Sequence, residues 1–492
     1  MWDLFHTASG TAFADIPIND HRETWPIRSN CFRGWLRQWH YEATGAAATA
    51  ADIRSALDLL EARAQFDGPE RAVHVRTAEH AERLYLDLAD EDWRVVEIGR
   101  DGWRVITSPP VRFRRSAGML PLPIPEQGGS IEALKSFLNL ASRNDFVLIL
   151  CWVLAALRPG GPYPLLAISG EQGSAKTVLS KLLKALIDPN AAPVRALSRQ
   201  ERELMIAAKN SHLLAFDNLS GLPAWLSDAL CRLATGGSFA VRRLYTDEDE
   251  VLFEATRPIL MNGIEDVISR PDLADRTIFL TLPAIAGERR RPESELWRRF
   301  EIARPRILGA LLDAVVQGLR AQNRIHLDRL PRMADFALWT TACETALWPA
   351  GTFARAYAAN RRAAIDSILE ADPVAAYVRS LMAERNTWTG SATDLQRAGH
   401  DPTNASIFAN IITSGTAWPE NPRTLAGRLR RAQTFLRALG IEIAFFREGR
   451  AGTRMIRMTR IVDNTVSTVS AVDPPPSNGS GVNESAVAGF GE

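Results

Sequence analysis

The stretch Gly170-Glu-Gln-Gly-Ser-Ala-Lys-Thr177, GEQGSAKT, decides how this chain is read. The apolar run PLLAIS comes before it, and VLSKLLKALI, apolar at helical spacing, comes after it. Strand, glycine-bearing turn and helix together make a phosphate-binding loop, because the turn's N–H groups and the helix N-terminus face an anion. Gly170, Glu171, Gln172, Gly173, Ser174 and Ala175 form the turn. Lys176 adds a point charge for β- and γ-phosphates, and Thr177 a hydroxyl for Mg2+. Ala175 stands where the pattern has its second glycine. It is tolerated there if its backbone stays near helical φ as the start of the following helix.

Forty residues on, HLLAFDNLSG reads as an apolar strand ending in Asp217. In phosphate-loop ATPases a carboxylate at the end of a neighbouring strand helps to hold magnesium. A buried strand closed by a capping aspartate explains Asp217 alone but not the ordered pair. ATP and Mg2+ are therefore the expected cofactors, with Thr177 and Asp217 on the metal. Asn218 occupies the place where many such enzymes carry a second acid that polarises the attacking water. Asparagine orients water but accepts no proton, so slow hydrolysis fits, and so does a base from Asp228, Glu201 or Glu203.

The next sixty residues narrow the class. LATGGSFAVRRLYTDEDEVLFEA reads as a helix end, a Gly-Gly turn and a hairpin carrying Arg242 and Arg243. RPILMNG is a strand ending in Asn262, and RPDLADRTIFLTLP is a short helix or turn carrying Arg276, then another strand. At these residues the chain resembles the superfamily 3 helicases, a branch of the AAA+ ATPases. Within them it is similar to the ATPase part of phage and plasmid primase–helicases, found on prophages and integrative elements. Those proteins share the order of phosphate loop, acidic strand end, TGG…RR…Y segment, Asn-ended strand and arginine. The resemblance covers about 160 to 285 and extends towards PRMADFALW.

The resemblance implies a catalytic set of Lys176, Asp217, Asn218, Asn262 and Arg276. Asn262 would sense the γ-phosphate or attacking water, and Arg276 would reach a neighbouring subunit's γ-phosphate as an arginine finger. Arg270 competes for that role, and without the resemblance Asn262 reads equally as a turn residue before Gly263. A finger acting in trans needs an oligomer, and head-to-tail contacts close into rings. The family implies a hexamer, with Arg242 and Arg243 gripping single-stranded DNA in its channel. A charged hairpin on a solvated surface is the plainer alternative.

The C-terminal part points to nucleic acid independently. Residues 421–460 hold ten arginines against Glu442 and Glu448. TLAGRLRRAQTFLRALG is an amphipathic helix closed by Gly440, and IEIAFFREGRAGTRMIRMTR makes two strands around a glycine-containing turn. Helix followed by basic wing is a winged-helix layout, with Arg428, Arg430, Arg431, Arg450 and Arg454 as DNA contacts. A merely solvated basic face is the alternative.

The remainder of the 492 residues sets limits. With 46% hydrophobic and 23% charged residues and a net charge of +1, the composition is that of a globular protein of two to four domains. Cys31, Cys151, Cys231 and Cys343 lie far apart without metal-ligand spacing and read as buried or half-buried thiols. FVLILCWVLAAL, Phe146 to Leu157, is too short for a bilayer and reads as a buried helix. MWDLFHTASG lacks a signal-peptide pattern, so a cytoplasmic location is expected.

The expected architecture is α/β: a P-loop NTPase core of AAA+/superfamily 3 type, with an α+β N-terminal region and a winged-helix-like C-terminal module. Its segments are 1–120, a Pro/Gly-rich linker at 121–130, the ATPase core at 131–320, a helical extension at 321–385, the basic module at 386–462 and a disordered tail at 463–492. Within the first, AADIRSALDLLEARAQF has helical spacing and ERLYLDLADEDWRVVEIGRDGWRVI reads as a β-meander. No acidic cluster there suits a primase. The function expected is an ATP-dependent DNA translocase or helicase serving replication of a mobile element. The alternative is a nucleotide switch (loader, initiator or defence ATPase) that binds DNA without processive unwinding.

Overall fold

PLLAIS is apolar at nearly every position, as a strand covered on both faces must be. In the computed structural model, which describes residues 2–198, 200–242, 250–263, 268, 271–383, 385–399, 418–449 and 452–461, it forms the strand Leu165–Gly170 of a parallel four-stranded sheet. Thr277–Leu282 lies on one side of it, Ile259–Gly263 on the other, and Leu214–Leu219 beyond that. Side chains alternate along a strand. Leu166, Ile168, Leu260, Ile278 and Leu280 therefore enter one core, while Leu165, Ala167, Leu214, Phe216, Ile259 and Met261 enter another.

Helices fill both faces, giving an α/β architecture. The first core holds Arg143–Ala156, buried at every position from Phe146 onward, with Lys176–Ile187 and Glu293–Ala321. The second holds Glu201–Asn210 and Ala224–Thr235. Gly236, at φ +89°, ends the latter helix and leads into the hairpin Ser238–Arg242 with Glu250–Glu254. None of the described helices is long and apolar enough to cross a membrane.

The N-terminal residues build two antiparallel sheets. One is Asp3–His6, Ala12–Ile18 and His21–Pro26, packed on helices Asn30–Thr44 and Ala50–Phe66. The second helix starts where Thr49 and Asp52 form a reciprocal cap, which explains the boundary read from AADIRSALDLL. The other is the meander Thr77–His80, Arg83–Asp87, Val95–Gly99 and Gly102–Ile106. Its Leu84, Leu86, Val96 and Ile98 enter the same core as Leu166 and Ile168.

The Pro/Gly-rich segment 121–130 is consequently a strap and not a loose linker. Leu122 is buried, its N–H donates to Leu88 O at 2.8 Å, and Glu126 N–H donates to Pro305 O at 3.0 Å. A Cβ on Gly309 would lie 1.8 Å from Glu126 O, so only glycine lets the strap lie against the helix Glu293–Ala321. Cys31 also departs from expectation: it is exposed, whereas Cys151, Cys231 and Cys343 are buried.

The helices Ala334–Glu344, Thr352–Ala371 and Pro373–Ala383 lead to a three-stranded antiparallel sheet of Thr387–Ser391, Thr453–Arg460 and Ile441–Glu448. Helices Ala392–Ala398 and Pro422–Ala438 accompany it. Asn421 caps the second, and Gly440 follows it at φ +79°. Leu425, Leu429, Phe435 and Leu436 join Val374, Tyr377 and Phe216 in one core, so the basic C-terminal residues are packed onto the parallel sheet's second face. The segment 463–492 lies outside the described residues.

Candidate functional site

The loop Gly170–Thr177 leaves the carboxyl end of its strand, where ligands of parallel α/β sheets collect. No side chain caps the helix Lys176–Ile187, and no acid lies in its first turn. Its first N–H groups therefore face the loop's concavity. Lys176 stands at the positive end of the helix dipole, an adverse place for a cation unless an anion lies between them. Its Nζ donates to Gly170 O at 2.6 Å and Glu171 O at 2.9 Å. The Ser174 hydroxyl is fully buried beside the turn without a hydrogen-bond partner. Uncapped N–H groups, a lysine and an unsatisfied hydroxyl on one concave turn suit a polyphosphate.

The alanine question is resolved against the expectation. Ala175 has φ +68° and ψ +30°, in the left-handed region, not near helical φ. The turn has to reverse before the helix begins, and the position keeps the geometry that favours glycine although its side chain is a methyl group.

Asp217 lies on the strand Leu214–Leu219, which runs two residues past it. Its Oδ1 accepts from Thr177 Oγ1 at 3.0 Å, so the hydroxyl and carboxylate assigned to one cation do meet. Among the described residues no three His, Cys, Asp or Glu side chains are placed to hold a metal. This pair suits Mg2+ completed by phosphate and water oxygens, the usual arrangement for that ion.

Asn218 follows at φ +59°, and its N–H donates to Asn262 Oδ1 at 3.0 Å. Asn262 is buried, and its Nδ2 donates to Ser180 Oγ at 2.8 Å, which in turn donates to Lys176 O at 3.0 Å. One asparagine thus ties the Asp217–Asn218 strand end to the first turn of the loop's helix. Of the alternative bases, Glu201 pairs with Arg232 at 2.9 Å and Glu203 accepts from Ser198 Oγ at 2.5 Å. Asp228 is exposed on the helix Ala224–Thr235.

Arg276 sits at the other end of the sheet. Its carbonyl accepts from Leu165 N–H at 2.9 Å, at the strand's start, whereas the loop begins at the strand's end. Six residues at about 3.3 Å each separate them. Its guanidinium bonds Asp272 at 2.5 Å and Cys231 Sγ at 3.7 Å, so it is held within its own chain and away from its own loop. Arg242 ends a hairpin strand; its side chain, with Arg243, Arg270 and Arg450, lies outside the described residues. Arg430 and Arg454 line one cleft, while Arg428 and Arg431 lie outside its lining.

The sequence reading missed Asn139 and Arg290. Asn139 Nδ2 donates to Ser174 O at 3.1 Å and Pro283 O at 2.7 Å, pinning the loop to the end of a neighbouring strand. The Arg290 guanidinium comes within 3.2 Å of where a Cβ on Gly173 would lie. Neither carries a local signal, since each lies over 30 residues from the loop in sequence.

Two family models match in tandem: the actinomycete integrative conjugative element replication protein over residues 131–370, and the C-terminal domain of that RepA family over 374–470. Together they span more than two thirds of the chain. The chain belongs to the replication proteins of actinomycete integrative conjugative elements. The RepA-family match contains the loop, Asp217, Asn262 and Arg276, and the C-terminal match contains the basic helix and paired strands. No curated protein matches. Among solved structures, an A-form apo structure of the NrS-1 C-terminal region aligns at 12% identity and TM-score 0.40, covering 94% of this chain and 97% of that one. Another apo structure of that region aligns at 11% and TM-score 0.37, covering 94% and 96%. Likeness this loose fixes neither fold nor function of the RepA-type chain.

Proposed function

We propose that this replication protein is an ATP-dependent DNA translocase or helicase with a P-loop core of AAA+/superfamily 3 type and a winged-helix-like DNA-binding module. The observation that carries the reading is the Thr177–Asp217 contact at 3.0 Å beneath an uncapped helix bearing Lys176. Loop N–H groups and Lys176 would hold the phosphates of ATP, and Thr177 with Asp217 would hold Mg2+. Bound there, the nucleotide supplies a phosphoanhydride whose cleavage releases energy for movement along DNA. Asn262 holds the Asn218 backbone against the loop's helix, and in this reading the Asn218 side chain orients the attacking water.

Arg276 serves a second subunit in this reading, because it stands a strand's length from its own loop. It must exchange Asp272 for a partner's phosphate, and a head-to-tail ring, a hexamer in proteins of this type, provides one. Arg242 and Arg243 would grip single-stranded DNA in that ring's channel.

The test is ATP turnover with and without single-stranded DNA for wild type, Lys176→Ala and Arg276→Ala. DNA should stimulate the wild type, both variants should be inactive, and mixing them should restore activity through shared sites. Wild-type turnover indifferent to DNA would sink the translocase. Asn218 in place of a proton-accepting acid favours the switch as second reading. DNA and ATP binding without strand displacement would select it.

A further inference from the structure

In the C-terminal residues the helix Pro422–Ala438 does not pack flush on the strands beside it. Between its first turns and the ends of Ile441–Glu448 and Thr453–Arg460 lies a cleft of about 400 Å3. Arg423, Ala426 and Arg430 recur at i, i+3 and i+7, so they share one helix face, which turns towards the cleft. Ala426 and Ala392 leave its floor open, and Phe445, Arg447 and Arg454 form the opposite wall, whereas the Phe446 side chain turns to the sheet's other face, where Arg457 lies 4.9 Å from its ring centroid. Among the described residues no carboxylate lines it. The Arg430 guanidinium lies 4.6 Å from the Phe445 ring centroid, and Arg430 itself is exposed.

We propose that this cleft is a single-stranded DNA site, taking an unpaired base against the guanidinium plane of the Arg430–Phe445 pair, with flanking phosphates on Arg423, Arg447 and Arg454. The chemistry is specific to that ligand. Aromatic rings and guanidinium planes bind the face of a base, and a base exposes its face only when unpaired. The volume suits one nucleotide, whereas a duplex meets convex elements that enter its grooves. Duplex contact would use outward arginines such as Arg431, which lies off this face. The proposal rests on the reading of the chain as a DNA-acting protein but not on ATP hydrolysis.

The test uses the full chain without nucleotide and fluorescein-labelled 12-mers: oligo-dT, an abasic strand with the same phosphates, and a duplex. Wild type should bind oligo-dT about tenfold more tightly than the abasic strand, the contribution of one stacked base. Arg430→Lys, which keeps the charge and loses the plane, should remove that ratio while the abasic strand still binds, and Arg430→Tyr should restore it, which a folding defect would not allow. Arg454→Gln, an exposed change, should weaken oligo-dT and abasic strand alike and reduce the salt slope by about one. An unchanged ratio in Arg430→Lys overturns the base site while leaving DNA binding intact. Tighter duplex binding lost in the same variants overturns it in favour of duplex recognition. Failure to bind any of the three overturns the DNA-acting reading as well.

Discussion

Asp188 closes the helix that begins at Lys176, and its removal should loosen the whole site. The carboxylate is buried and receives four donors. Arg76 Nε is 3.0 Å from Oδ1, while Lys184 Nζ at 2.7 Å, His212 N at 2.9 Å and Leu213 N at 3.1 Å reach Oδ2. Burial pushes its pKa up, but Lys184 and Arg76 outweigh that and hold it well below the usual carboxylate range. Arg76 is 0% exposed and belongs to the N-terminal region, so one carboxylate joins that region to the loop's helix and to the segment preceding the Asp217 strand.

Asp188→Asn keeps the shape and removes the charge, leaving two buried cations without an anion. Breaking a buried pair in this way costs about 3–5 kcal/mol. Burial already lowers the Lys184 pKa, so that lysine can shed its proton, and the lower end of the range is expected. Urea unfolding followed by tryptophan fluorescence reads the loss as a lower midpoint. Adding Lys184→Met removes one stranded cation and should recover roughly 1–2 kcal/mol, a non-additivity expected of groups in contact. A single variant within about 1 kcal/mol of wild type would refute the view that this network is closed to water.

Ala175→Gly should stabilise the protein. Relief of left-handed strain is worth about 1–2 kcal/mol, and glycine's freer unfolded chain returns about 0.4–1 of it. The net is a small upward shift of the same urea midpoint, with nucleotide affinity retained, and a lower midpoint would contradict the assigned backbone. His212, buried with Nε2 2.6 Å from Ala156 O, is pushed down to about 4 by burial first, then by Arg257. The unfolded imidazole titrates near 6.5, so between these values the unfolded chain binds the extra proton. Stability is thus fullest above about pH 6.5 and falls by roughly 3 kcal/mol towards pH 4. His212→Asn should flatten that slope in unfolding curves collected across the range; an equally steep slope would place the titration elsewhere.

Local sequence determined much of this molecule because local physics sufficed. The apolar run Leu165–Ile168, the turn glycines and the helical spacing after Lys176 dictate strand, loop and helix within twenty residues. The Thr49–Asp52 cap and the paired strands closing at Arg460 are equally short-range. Ala175 was legible as a departure, but its φ was not, because the path of the turn depends on where the strand and helix are held. Tertiary structure alone brought Asp217 to Thr177 and Asn262 to Ser180, since strand order in a parallel sheet is set by packing and not by order along the chain. It placed Arg276 at the far end from its own loop for the same reason. It also turned the segment 121–130 from an apparent tether into a strap, and made of Arg76, Lys184, Asp188 and His212 one buried network. Groups so distant in sequence leave no periodic trace, and only the closing of a common core makes them neighbours.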